Sequence, residues 1–195
     1  VLLHGRGSNE QDLFGMVPEL PKQPLVVSVR APFPFPAEWG GGYFWYDLSG
    51  ERHVPEPKTF ESSLQQLEEF VRKLPSQYPV DPSRLYLLGF SQGALMSGCL
   101  TLAHPELMAG TVMLSGYLPL QSDLATDEAG VAGKPIFVAH GTHDSVLSIV
   151  LGRQARMHLE TLKADVEYHE YPMDHQVVME ELAALRAWFE KRGLL

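Results

Sequence analysis

The segment Leu85-Tyr86-Leu87-Leu88-Gly89-Phe90-Ser91-Gln92-Gly93-Ala94-Leu95-Met96 constrains this chain more than any other. A short apolar run ends in Gly-x-Ser-x-Gly and passes at once into a small-residue-rich apolar stretch, the pattern of a strand turning sharply into a helix with a serine at the bend. The bend is so tight that side chains two positions before and after the serine would collide. Gly89 and Gly93 remove them, and glycine also tolerates the dihedrals such a turn demands. The helix opening there directs unpaired N–H groups and the positive end of its dipole toward the serine, where negative charge would develop during acyl transfer. A serine placed this way reacts only if the rest of the chain supplies a base and an acid.

The 195 residues are expected to form one domain, 1–195, large enough to bury a substantial core. A formal net charge of −9, with scattered Lys and Arg, argues against general affinity for nucleic acid or for an anionic membrane surface. No apolar run approaches the ~20 residues that span a bilayer, so no stable membrane insertion is expected. The lone cysteine, Cys99, excludes an internal disulfide and reads as a buried small hydrophobe in the helix after the bend, which fits a reducing, cytoplasmic setting. Val1-Leu2-Leu3 reads as the middle of a buried strand without an initiating Met, so upstream residues are expected and a cleaved signal peptide stays open.

That first strand ends in His4-Gly5-Arg6-Gly7-Ser8-Asn9. A strand closing on His-Gly suits a second backbone donor of an oxyanion hole, supplied by the N–H of Arg6 beside that of Gln92; a simple tight turn is the competing reading. His4 reads as a structural hydrogen-bonding group. Leu25 to Val29 reads as a second buried strand. The connection from Ala31 to Lys58 is long for a compact domain and dense in aromatics, among them Trp39, Phe44 and Trp45. These residues either line an apolar substrate pocket or pack as core beneath the loop.

Phe60, Leu64, Leu67, Val71 and Leu74 recur at helical spacing, predicting an amphipathic helix over 59–74 that Pro75 and Pro79 end. The helix after Ser91 runs to about Ala103. Thr111 to Leu114 and Ile136 to Ala139 read as further strands, separated by an irregular stretch whose Asp123 and Asp127 are expected on the surface. After the second of these strands comes His140-Gly141-Thr142-His143-Asp144. An acid just past a strand end is where the partner of a catalytic base belongs, which selects Asp144; a metal site is the rival reading of this cluster. A helix over 149–162 and a strand over 166–171 lead to Tyr171-Pro172-Met173-Asp174-His175, with His175 before a terminal helix whose inward stripe is Val178, Leu182, Leu185 and Phe189. His175 is the expected base. Adjacent loop side chains diverge, so Asp174 is expected to cap the last helix rather than to serve His175.

Strands alternating with helices predict an α/β fold with a mostly parallel central sheet, right-handed crossovers and helices on both faces. The glycine loop, Ser91, Asp144 and His175 all follow predicted strands, so they converge on the carboxyl edge of that sheet.

Leu3-His4-Gly5, Ala31-Pro32, Trp45-Tyr46-Asp47, Gly89-Phe90-Ser91-Gln92-Gly93, Leu114-Ser115-Gly116, His140-Gly141 with Asp144, and Tyr171-Pro172-Met173-Asp174-His175 together resemble the phospholipase/carboxylesterase family. This branch of the α/β-hydrolases includes acyl-protein thioesterases and small carboxylesterases. The resemblance implies an α/β-hydrolase fold without a separate lid domain. It implies a nucleophile at Ser91, an acid at Asp144, a base at His175 and backbone donors at Arg6 and Gln92. It also implies hydrolysis of short to medium acyl esters or thioesters, no cofactor or metal, and frequent homodimerisation. Two residues depart from the pattern. Arg6 stands where thioesterase members carry an apolar side chain, and the segment after Asp144 lacks their proline. The competing classes are a binding protein that kept the fold and lost the reaction, and a peptidase or dienelactone-type hydrolase. No residue of the Ser-Asp-His set is missing, as the first would require; dienelactone enzymes carry cysteine at the bend, and peptidases generally carry extra gating domains.

Overall fold

The structure is a computed structural model that describes residues 1–50, 53–120 and 124–194. Its centre is a parallel sheet built from β1 (Leu2–Leu3), β2 (Ser28–Val29), β5 (Tyr86–Phe90), β6 (Gly110–Leu114), β7 (Pro135–Gly141) and β8 (Asp165–Tyr171), in the order β2-β1-β5-β6-β7-β8. Two short strands, β3 (Phe33–Pro34) and β4 (Tyr43–Phe44), form a separate antiparallel hairpin. The helices are α1 (Pro57–Gln77), α2 (Gln92–Ala103), α3 (Glu128–Val131), α4 (Ile149–Thr161) and α5 (Met179–Glu190). This is the parallel, helix-flanked architecture that the alternating pattern implies.

Successive strand residues point to opposite faces, and the core divides accordingly. Leu3, Leu87, Met113, Ile136 and Val138 pack against Phe60, Leu67 and Val71 of α1, the buried face of α2, and Ala155 and Leu159 of α4. Their neighbours Leu2, Leu88, Val112, Phe137 and Ala139 pack on the other face against Leu13 and Met16 and against Leu182, Leu185, Trp188 and Phe189 of α5. α2 is buried all round, which is why its composition carries no polar face. Cys99 lies in it fully buried, and loss of hydration pushes its thiol pKa up.

The outlines differ from the sequence expectation in three places. The second strand is confined to Ser28–Val29, the two residues that pair with β1. Helix α1 runs through Pro75 to Gln77: the proline falls in the last turn, and Tyr78 N–H still reaches the Leu74 carbonyl at 3.0 Å. In α5 the inward stripe uses Trp188 and not Val178, which stands at the N-cap. Asp127 caps α3 by accepting from Gly130 N–H at 3.0 Å, whereas Asp123 lies outside the described residues. Among the described residues no helix is long and apolar enough to cross a membrane.

Candidate active site

All strands of the main sheet are parallel, so the segments leaving β1, β5, β7 and β8 emerge at one edge. At that edge β5 ends in Ser91, whose backbone sits at φ 56° and ψ −116°, a left-handed conformation that L-residues rarely adopt. The two glycines show why the bend forms. A Cβ on Gly89 would lie 2.1 Å from the Gly93 carbonyl oxygen, and a Cβ on Gly93 would lie 2.0 Å from the Leu3 carbonyl oxygen. Both clashes are with backbone and leave no room to adjust. Ser91 occupies the N-cap of α2, yet its hydroxyl caps no helix amide.

That hydroxyl lies instead 2.9 Å from Nε2 of His175, whose Nδ1 is 2.8 Å from Oδ2 of Asp144. A carboxylate only accepts, so the ring proton belongs on Nδ1 and Nε2 is left to accept from the serine hydroxyl. The Asp144 side chain is fully buried. Its other oxygen accepts from the backbone N–H groups of Val146 and Leu147 at 2.9 and 2.7 Å, which fixes the carboxylate to its own loop. The Phe90 ring packs on the His175 imidazole, with centroids 4.9 Å apart. Two loops are drawn together here: His143 N–H donates to Met173 O at 3.1 Å, and a Cβ on Gly141 would lie 2.4 Å from that same oxygen.

Two further histidines, His4 and His140, are buried and hydrogen-bonded to the backbone, and His140 Nε2 also lies 3.3 Å from Asp144 Oδ2. His4 is fully buried, accepts from Ala31 N–H at Nε2 (3.1 Å) and therefore donates from Nδ1 to Gly5 O (2.7 Å); burial lowers its pKa and favours this neutral form. His140 donates from Nε2 to Leu147 O at 2.8 Å and is likewise held neutral, chiefly by burial.

The long aromatic connection lies over the His4–Ser8 loop. Gly7 N–H donates to Tyr43 O at 2.8 Å, Tyr43 N–H donates to Ser8 O at 2.7 Å, and a Cβ on Gly42 would lie 2.2 Å from Gly7 O. Of the three aromatic residues expected at a pocket, Phe44 is partly exposed and lies beside the Arg6 guanidinium, 5.7 Å from its ring centre. Trp45 is instead core, 2% exposed, with its indole N–H on His4 O at 2.8 Å. The Trp39 side chain lies outside what the structure describes.

Sequence reasoning missed the side chain of Gln92, considered only for its amide. Its Oε1 accepts from Trp45 N–H at 3.0 Å and its Nε2 donates to Tyr46 O at 2.8 Å, clamping the aromatic connection to the bend. A polar residue buried at the start of an otherwise apolar helix was the available signal. It also misjudged Asp174, which caps no helix: it accepts from Ser145 N–H and from His175 N–H, both at 2.7 Å. Of the two positions expected to supply backbone donors, Arg6 follows Gly5, whose Cβ would lie 3.4 Å from Ser91 Cβ, and Gln92 is the first residue of α2, next to Ser91.

Over residues 1–192 the sequence matches the phospholipase/carboxylesterase family. Acyl-protein thioesterase 1 of Yarrowia lipolytica is 29% identical over 184 residues, spanning 89% of this chain and 75% of that protein. Among solved structures, a Bacillus cereus carboxylesterase superposes with a TM-score of 0.85 at 25% identity, covering 97% of this chain and 86% of the other. Esterase PE8 superposes with a TM-score of 0.83 at 28% identity, covering 100% and 91%. The fold is therefore that of the α/β-hydrolases, and with the match running through nearly its whole length, the chain belongs to the phospholipase/carboxylesterase family of carboxylic ester hydrolases.

Proposed function

We propose that this chain hydrolyses esters or thioesters of short to medium acyl chains through an acyl-enzyme on Ser91, with His175 as general base and Asp144 as its orienting acid. The observation that carries this reading is the continuous hydrogen-bonded relay from Asp144 through His175 to Ser91, at 2.8 and 2.9 Å, on a strained strand-to-helix bend. A free serine hydroxyl is a weak nucleophile, so His175 takes its proton as Oγ attacks the substrate carbonyl. Asp144 keeps the imidazole in the tautomer that can accept and stabilises the imidazolium that forms. The N–H groups of Arg6 and Gln92 receive the oxyanion of the tetrahedral intermediate, each worth about 3 kcal/mol of barrier. Collapse expels the alcohol or thiol, which takes the proton from His175. Water, deprotonated by the same imidazole, then attacks the acyl-serine and releases the acid. No step draws on a cofactor.

The test is turnover of p-nitrophenyl esters of graded acyl length beside a thioester and a peptide anilide, with fluorophosphonate labelling of Ser91. Ester turnover with labelling is expected, and Ser91→Ala should lower kcat by on the order of 10⁶-fold. Neither turnover nor labelling would return the chain to the non-catalytic binding class.

A further inference from the structure

We propose that the Arg6 guanidinium is a specificity-determining cation at the reaction centre, and that the preferred substrates carry a carboxylate close to the ester that is cleaved. The proposal rests on the ester-hydrolase reading above and narrows its substrate class.

Position comes first. Arg6 follows Gly5, whose Cβ would lie 3.4 Å from Ser91 Cβ, so the backbone carrying this cation runs alongside the reacting serine. Its side chain turns onto the aromatic connection, where the guanidinium carbon lies 5.1 Å from the Phe35 ring centre and 5.7 Å from that of Phe44. Aromatic faces hold a guanidinium in place without using its in-plane N–H donors.

Those donors are under-used. Among the described residues, the Arg6 side chain donates one hydrogen bond, from Nη2 to Asp47 Oδ1 at 3.3 Å, and the Asp47 side chain is 56% exposed. A single long contact to a solvated carboxylate is a weak tie. Asp47 is also engaged elsewhere, since the same oxygen accepts from Leu48 N–H at 2.9 Å. Two other arginines show what a committed pair looks like in this molecule. Arg153 meets Glu170 with two N–H groups, both at 2.8 Å, and Arg30 grips both oxygens of Glu10. Arg6 has the same two-pronged capacity and, among the described residues, uses one N–H of it in a side-chain hydrogen bond. A substrate carboxylate can take the bidentate geometry that Asp47 does not.

The global charge makes the inference testable. At a net −9 the protein as a whole repels anions, so a preference for an anionic ester over its neutral isostere must come from a local cation.

Two matched ester pairs test this. One is mono-p-nitrophenyl adipate against the p-nitrophenyl ester of the isopropyl-capped acid of the same length. The other is p-acetoxybenzoate against p-isopropylphenyl acetate. Within at least one pair the wild-type chain should favour the anionic member in kcat/KM, and the pair that responds locates the carboxylate on the acyl or the alcohol side. Arg6→Met should lower the anionic-to-neutral ratio on the order of ten- to a hundredfold, expressed mainly in KM, and Arg6→Lys should restore part of it. Asp47→Asn, which removes the competing carboxylate, should raise the ratio. Using the ratio cancels any disturbance of the Arg6 amide, which affects both members alike. Turnover with no charge preference, or a preference that survives Arg6→Met, overturns this proposal alone. No turnover of any of these esters, with no fluorophosphonate labelling, overturns the ester-hydrolase reading beneath it.

Discussion

Ser145 and Asp174 fasten the loop bearing Asp144 to the loop bearing His175: the Ser145 N–H and hydroxyl reach the Asp174 carboxylate at 2.7 and 2.8 Å. The same carboxylate accepts from the His175 N–H at 2.7 Å, so one side chain spans the residues on which the relay depends. These bonds, those from Ser145 foremost, hold the Asp174 carboxyl below its ordinary pKa and keep it ionised in mild acid. Removing it leaves every member of the relay in the sequence and takes away one of the ties between the two loops. Asp174→Ala should lower kcat by on the order of tenfold or more, since small misplacements of a catalytic base are costly, with fluorophosphonate labelling slowed in parallel. A variant with wild-type kcat would show that the hydrogen bonds between Met173, His143 and their neighbours suffice.

The strain at Ser91 predicts a split between stability and activity. At φ 56° and ψ −116° a side chain is held where only glycine is at ease, a cost of about 1–3 kcal/mol. Ser91→Ala keeps the Cβ and the strain, whereas Ser91→Gly releases it at the expense of a more disordered unfolded chain. Both should be inactive, and denaturant unfolding should find the glycine variant more stable than the alanine variant by about 1 kcal/mol. Equal stability would mean that the surrounding structure relaxes around the Cβ without cost.

What the sequence made legible were features whose cause is local. The bend needs small residues two before and two after the serine, and Gly89 and Gly93 stand there because their Cβ atoms would overlap backbone. The order of Ser91, Asp144 and His175, each just past a strand, reflects one residue per strand end in a parallel sheet. What stayed hidden were pairings between segments far apart in the chain. Gln92 meets the backbone of Trp45 and Tyr46, and Asp174 meets Ser145; neither partner has a spacing that a periodic pattern could register. Trp45 illustrates the same limit. An aromatic residue in a long loop can line a pocket or fill the core, and only the approach of His4 O to its indole N–H decides for the core.

Gly93 offers the sharpest test of the packing that positions the bend. A Cβ there would sit 2.0 Å from Leu3 O and 2.5 Å from Leu3 C, in the backbone of β1, and no rotamer relieves contact with a Cβ. Gly93→Ala should therefore cost on the order of 3 kcal/mol or more and separate β1 from α2, seen as a lowered denaturation midpoint and lost ester turnover together. Gly133→Ala serves as the contrast: its φ is 75° but nothing lies within 4 Å of its Cβ, so only the smaller dihedral penalty, about 1 kcal/mol, is expected.

Glu181 predicts how stability depends on pH. It lies in the first turn of α5, six residues past His175, with a fully buried side chain, and loss of hydration raises its pKa from the ordinary 4.5 to about 8. Between those values the folded chain keeps a proton that the unfolded chain has released. The folded state therefore binds more protons there, and stability falls as pH rises through the window. Below 4.5 both states are protonated and the group contributes no slope; above about 8 both are ionised and the loss is complete, on the order of 5 kcal/mol across the span. Glu181→Gln keeps the shape and removes the titration. Melting temperatures recorded from about pH 5 to about pH 9 should show the variant gaining on the wild type as pH rises, while every other titrating group contributes equally to both. Parallel curves would mean that the carboxyl finds compensation when it ionises.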